Sequence, residues 1–277
     1  MATSLPWSPA EPDWQAVLAA YPDPLRALAG AEMPAIVLRQ AYDPAQCMPL
    51  LQRFTDWGLM RDPKAATADQ RNRIDIGTSL GNRGQDKERF LAHAVATHDL
   101  FRFLFTGFDD PVQCMYNALQ QLAGDKTVKV AQEPDGRQYG PAIFRIHYDS
   151  HAYKPHIDHV TLRERRFDYA VSRFEHQFAG ILCLQNASQQ GHAAQTIIHE
   201  CLWTEAIQPH IANETFHEYA AANGLGSYKI ALAPGDLYFF NTRCIHEIPA
   251  IEGDDPRAVL AVFIGYSEDD GEIYVWS

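Results

Sequence analysis

Nowhere in this 277-residue chain do about 18 apolar residues stand together, so no membrane-spanning helix is expected. Cysteine is scarce and scattered. Cys47, Cys114, Cys183, Cys201 and Cys244 are an odd number with no CxxC pair, which argues against a disulfide framework and suits a reducing cytoplasm. Basic charge is short as well: 23 Lys and Arg against 35 Asp and Glu leave a net charge of −12, which repels a phosphate backbone and disfavours nucleic acid as a partner. The stretch from Met1 to Trp14 has Pro6, Pro9 and Pro12 but no basic region and no continuous apolar stretch, so neither a secretory signal nor a transit peptide is expected. Internal repeats and low-complexity segments are missing too. What is present is the balance of a soluble globular protein, 46% apolar and 21% charged, in a length that fits one elaborated domain.

The chain changes character near its middle. Up to about Gly124 the pattern is mostly helical. Asp43-Pro44 is a cap and first-turn pair for a helix through Cys47, Leu50, Leu51 and Phe54, and Lys87 to Phe105 and Pro111 to Leu122 carry apolar positions at helical spacing. Ala35 to Leu38 reads as a short strand. From Gly140 onward, short β-type runs alternate with turn residues: Ile143 to Tyr148, Phe178 to Leu184, Gln195 to His199, Tyr228 to Leu232, Asp236 to Phe240 and Ala258 to Tyr266. Ile207 to Asn223 reads as an inserted helix or loop. Such a pattern fits an α+β protein in which helices pack outside a jelly-roll.

Twelve histidines make metal chemistry the first search. Two HxD triplets occur, His147-Tyr148-Asp149 and His156-Ile157-Asp158. On a strand, residues i and i+2 point to one side, so either triplet aims an imidazole and a carboxylate at one point. His147 lies inside the run from Ile143, and Asp149 falls where that run stops. His156 follows the turn-like Tyr153-Lys154-Pro155, and Ile157 and Val160 supply apolar residues for a strand starting there, which favours His156 and Asp158. A distant histidine, His246, follows the turn and strand Pro234-Gly235-Asp236-Leu237-Tyr238-Phe239-Phe240. Eleven positions further stands Arg257, at the head of the apolar strand Ala258 to Tyr266. An arginine pointing into an apolar barrel is costly unless an anion meets it; the neighbouring Asp254-Asp255 make a surface ion pair the alternative.

In this order and spacing, HxD, distal His and Arg, the chain resembles the Fe(II)- and 2-oxoglutarate-dependent oxygenases. The resemblance implies an α+β fold with a double-stranded β-helix (jelly-roll) core over residues 140–277. It also implies a mostly helical part over 1–139 packed outside, the whole chain, 1–277, forming a single oxygenase domain. His156, Asp158 and His246 would hold iron and carry catalysis, since two imidazoles and one carboxylate leave three positions of an octahedral metal open. Two of those would go to 2-oxoglutarate and one to dioxygen. Arg257 would hold the far carboxylate of 2-oxoglutarate in a bidentate pair. Tyr148 would donate a hydrogen bond to 2-oxoglutarate, as an equivalent tyrosine does in relatives. The cosubstrate would leave as succinate and CO2, and a small-molecule substrate would be oxidised.

Within the family the chain looks most like hydroxylases of free or N-substituted amino acids and their halogenase relatives, on Gly77-Thr78-Ser79-Leu80-Gly81, the segment from Phe144 to Asp158, and the ending Tyr274-Val275-Trp276-Ser277. Carrier-free halogenases replace the triad carboxylate by a small residue so that halide can bind iron. Asp158 is present here, which points to hydroxylation. Substrate contacts are expected from Thr78 and Ser79 at the pocket rim, and from Arg166 in the Arg-rich insert His159 to Gln177. Arg145 is a further candidate, an odd number of residues from Tyr148 and so facing the opposite side. Phe263 shares the inward face of Arg257, Val259 and Ala261. A non-catalytic metal-binding jelly-roll is the competing class; a structural zinc site would need a fourth protein ligand, and none stands out.

Overall fold

The structure, a computed structural model, describes residues 7–10, 14–61, 71–187, 195–253 and 255–277. Three helices start on the same device, an aspartate followed by proline. In α2 (Pro24–Ala29), α3 (Pro44–Asp56) and α6 (Pro111–Leu122) the carboxylates of Asp23, Asp43 and Asp110 accept first-turn backbone N–H groups at 3.0, 2.9 and 2.8 Å, and the proline gives up an N–H that would have no partner. Asp86 caps α5 (Lys87–Leu104) in the same way at Arg89 N. Helices α1 (Trp14–Ala20) and α4 (Leu80–Arg83) complete the N-terminal set.

Among the described residues the strands, in chain order, are β1 (Ile36–Leu38), β2 (Arg73–Ile76), β3 (Thr127–Val130), β4 (Ile143–His147), β5 (Tyr153–His156), β6 (His176–Gln185), β7 (Ile197–Leu202), β8 (Ser227–Lys229), β9 (Leu237–Asn241), β10 (Cys244–Ile248), β11 (Arg257–Tyr266) and β12 (Glu272–Trp276). They form two sheets. The larger runs β1-β9-β6-β11-β12-β3, with β4 on the first half of β11 and β2 on β4; the smaller runs β5-β10-β7-β8. Between these strands all pairings are antiparallel except β12 with β3, and Ala10 adds a parallel bridge to Ile36 of β1. The sheets pack face to face, Ala179, Cys183, Tyr238 and Phe240 of the larger meeting Ile198 and Cys244 of the smaller.

Strand β11 shows how the alternation divides the molecule. Ala258, Leu260, Val262 and Ile264 join the core beneath the N-terminal helices, where Phe54, Phe101 and Phe105 surround Phe144 at ring centroid distances of 4.8, 5.6 and 6.0 Å. Arg257, Val259, Ala261 and Phe263 face the space between the sheets. The turn into β9 is fixed by Asp236, whose carboxylate accepts from Gln40 N and Ala233 N at 2.9 and 2.8 Å. Gly235 beside it has φ +91°, and a Cβ there would stand 2.4 Å from Tyr42 O, so the position requires glycine. On the outer face of the smaller sheet, α7 (Gln208–Ala212) and α8 (Phe216–Ala222) set Phe216 and Ala220 against Ile157, Cys201 and Ile245.

Two features differ from the sequence reading. The helical half also supplies β2 and β3, four residues each, too short for a period to show against the helices around them. Tyr153–His156 is itself a strand that ends at His156 rather than starting there. Pro155 is tolerated because β5 lies on the sheet edge, where an N–H is not needed on the open side.

Candidate metal centre and its cavity

The antiparallel register of β5 on β10 places His156 directly opposite His246, with ring centroids 4.3 Å apart. Beyond the end of β5 the chain turns Asp158 back toward both rings: its Oδ2 lies 3.7 Å from His156 Nε2 and 3.5 Å from His246 Nε2. One ligand atom from each of the three comes within 4.8 Å of the others. Both imidazoles are oriented from behind. Nδ1 of His156 donates to Lys154 O at 2.7 Å and Nδ1 of His246 to Cys244 O at 2.9 Å, which leaves both Nε2 lone pairs free for a metal. The backbone of Asp158 is pinned to Thr242, N to carbonyl at 3.1 Å and carbonyl to hydroxyl at 2.5 Å. Arg163 donates to Asp158 Oδ1 at 2.5 Å, so a single carboxylate oxygen faces the imidazoles. Burial pushes the Asp158 carboxyl up, but the two imidazoles beside it, His156 and His246, outweigh burial and hold the group well below the usual carboxylate range. Burial, with His156 close by, lowers His246. A neutral imidazole pair with an ionised carboxylate is the donor set that an octahedral divalent iron takes, and these residues fit it.

A cavity of about 360 Å³ opens from this centre between the sheets. Arg257 lines it and is 3% exposed. Its polar partner among the described residues is His147 Nδ1, at 3.3 Å. Burial, and then the positive charge of Arg257, keep His147 well below its ordinary value. The neutral ring accepts from Arg257 at Nδ1 and donates from Nε2 to the Tyr153 hydroxyl, 3.2 Å away. Arg73 donates to the same hydroxyl at 2.8 Å and is neutralised by Asp75. Asp254, weighed above as a partner of Arg257, lies outside the described residues. Asp149 is exposed and accepts from Ser150 and from Gly253 N, so the first HxD triplet does not converge on one point.

Arg145, Ser79, Arg166 and Phe263 also line the cavity. Arg145 makes no hydrogen bond or ion pair among the described residues, its Nε is buried without a partner, and its guanidinium stands 5.9 Å over Phe263. Arg166 is committed elsewhere, to Leu80 O, Gly81 O and Glu164. Thr78 is buried behind the lining, its carbonyl accepting from Ser277. Tyr148 is a correction: it turns to the helix-side core, its ring is stacked under Arg61 at 4.2 Å, and its hydroxyl accepts from Arg61 N at 3.0 Å. From there it does not reach the cavity, because it lies one residue out of phase with His147 and Arg145. Arg73 and Tyr153 were missed by the sequence reading, and Arg163, part of the Arg-rich insert expected to meet substrate, holds Asp158 instead. The triplet alternation marked His147 but gave no sign of its bond to Arg257.

A family model described as the carrier-protein-independent halogenase WelO5 matches residues 14–277. Among solved structures the chain is similar to an N-substituted L-amino acid dioxygenase in complex with alpha-KG from Burkholderia ambifaria AMMD, with 17% identity over 94% of this chain and 91% of that one, at a TM-score of 0.61. A second structure of the same description gives 18% identity, 91% and 90% coverage, and a TM-score of 0.60. At these identities the likeness concerns the fold. No curated protein matches the chain. No helix among the described residues is long and apolar enough to cross a membrane.

Proposed function

The chain belongs to the family of the carrier-protein-independent halogenase WelO5, and on that premise we propose that it is an Fe(II)- and 2-oxoglutarate-dependent dioxygenase that hydroxylates a small molecule, an amino acid or amino-acid derivative. The two facing sheets are read as a double-stranded β-helix and the chain as one oxygenase domain. His156, Asp158 and His246 hold the metal. The chemistry a bound iron supplies is oxidation of a substrate C–H bond coupled to decarboxylation of 2-oxoglutarate to succinate and CO2.

The protein's part is positioning and exclusion. Arg257 presents its planar fork to the distal carboxylate of 2-oxoglutarate, and the neutral His147 behind it fixes the fork without competing for the anion. Arg145, without a polar partner among the described residues and on the same face, meets a carboxylate of the substrate, which is why an amino acid or its N-acyl derivative suits the cavity. Val259, Ala261, Ile181 and Phe263 form the apolar wall that keeps water from the reacting carbon.

One observation carries hydroxylation over halogenation: the triad position that is small in the halogenases is here Asp158, ionised and facing both imidazoles. Halogenation stands as the second reading because the family description names it. A panel of amino acids and N-acyl amino acids, screened for substrate-stimulated succinate formation with Fe(II), 2-oxoglutarate and ascorbate in chloride-rich buffer, tests both. A product heavier by one oxygen is expected. A chlorinated main product overturns the hydroxylase reading.

A further inference from the structure

The residue after His246 points the other way. Glu247 leaves β10 on the outer face of the smaller sheet, where it meets His199 from β7 and His217 from α8. Its Oε1 lies 2.9 Å from His199 Nε2 and its Oε2 3.3 Å from His217 Nε2, the two rings being 5.9 Å apart and inclined at 62°. One donor atom from each residue comes within 4.8 Å of the others. His199 and Glu247 are fixed in place, with side chains 7% and 14% exposed, whereas His217 is 62% exposed and open to solvent. Nothing in the oxygenase reading uses these three side chains, and the sheet separates them from the cavity.

We propose that His199, Glu247 and His217 bind a divalent transition metal, zinc in preference to iron, and that the ion ties α8 to the sheet that carries His246. The spacing fits. Donor atoms at ~2.0–2.1 Å from a tetrahedral zinc stand about 3.3 Å from one another, and one donor atom from each residue already lies within 4.8 Å of the others, so rotation of the exposed His217 toward Glu247 and His199 brings the three to ligating distance. Two imidazoles and one carboxylate suit a borderline cation, and zinc outranks ferrous iron for such donors. Water completes the shell on the solvent side of His217, so the ion exchanges more readily than one in a closed four-ligand site. This site stands apart from the oxygenase centre, and the two assignments succeed or fail separately.

Zinc itself is the probe. The chain, stripped of metal with a chelator, is dialysed against buffered zinc and its bound metal counted by elemental analysis, alongside His217→Ala and the double variant His156→Ala/His246→Ala. Two equivalents are expected for the unaltered chain and one for each variant. His217 is exposed, so its variant keeps the fold, and zinc should raise its melting temperature less than that of the unaltered chain. One equivalent in both the unaltered chain and His217→Ala, with none in the double variant, overturns the second site and leaves the oxygenase centre standing. One equivalent lost with His217→Ala but kept by the double variant supports the second site and counts against the oxygenase centre. If the double variant does not fold, the comparison of the unaltered chain with His217→Ala decides.

Discussion

Replacing Arg257 by Gln isolates the anchor proposed for the cosubstrate. Arg257 is 3% exposed, and its polar partner among the described residues is the neutral His147, at the long distance of 3.3 Å. A buried cation held by one weak bond costs stability in the absence of an anion, and glutamine can still donate to His147 Nδ1. The variant should therefore unfold in urea at the unaltered concentration or a higher one. Cosubstrate binding should behave differently. Loss of a charge-assisted bidentate contact removes about 1.5–3 kcal/mol, so the KM for 2-oxoglutarate should rise about tenfold to a hundredfold. Arg257→Lys keeps the charge without the fork and should fall between. Steady-state kinetics with 2-oxoglutarate varied, paired with urea titration, gives both numbers. An unchanged KM, or a loss of stability that matches the kinetic loss, means that Arg257 serves the fold and not the cosubstrate.

Three further outcomes follow from the packing. Tyr148→Phe should leave the KM for 2-oxoglutarate unchanged while costing about 1 kcal/mol in urea titration, because its hydroxyl meets Arg61 N and not the cavity. Gly265→Ala should destabilise by about 1–3 kcal/mol, read by the same titration, since a Cβ there would stand 2.3 Å from a carbon of the buried Phe174 ring. Glu133 accepts from Lys87 at 2.8 Å, from Ala170 N at 3.1 Å and from Tyr139, and despite its burial these partners hold its carboxyl below the ordinary value. The unfolded chain therefore binds this proton more readily than the folded one, and the stabilisation is full above the ordinary glutamate value and is lost as pH falls from there through the lowered folded value. Glu133→Gln should be weaker by about 2 kcal/mol at pH 7, and the gap should narrow as pH falls below the ordinary glutamate value and close below the lowered folded one; a gap that persists in acid would place the effect in packing instead.

The features legible in the chain were those set by neighbours in sequence. At Asp43-Pro44 the carboxylate reaches N–H groups two or three residues on and the proline suits a first turn, so this helix start could be read without any fold, although the same pair at Asp255-Pro256 leads into β11. Period two sent Arg257, Val259, Ala261 and Phe263 to one face of β11 for the same local reason, and it separated Arg145 from Tyr148. His156 and Asp158 are two residues apart, but β5 ends at His156, so their convergence comes from the turn that follows and not from the strand alternation the spacing suggested.

Strand register and cross-sheet packing settled the rest, since these depend on which distant segments bury one another. That His156 faces His246 follows from the β5–β10 pairing, and that His147 backs Arg257 follows from β4 lying on β11 in the register Arg257↔His147. β2 pairs with β4 in the register Arg73↔His147, which brings Arg73 to Tyr153 across 80 residues of chain. Four-residue β2 carries too little pattern to announce that pairing; burial against β4 makes it a strand. Tyr148 and Glu247 show the limit most sharply. Each is adjacent in sequence to a residue of the cavity, and the pleat turns each to the opposite side, Tyr148 into the core under the helices and Glu247 toward His199 and His217.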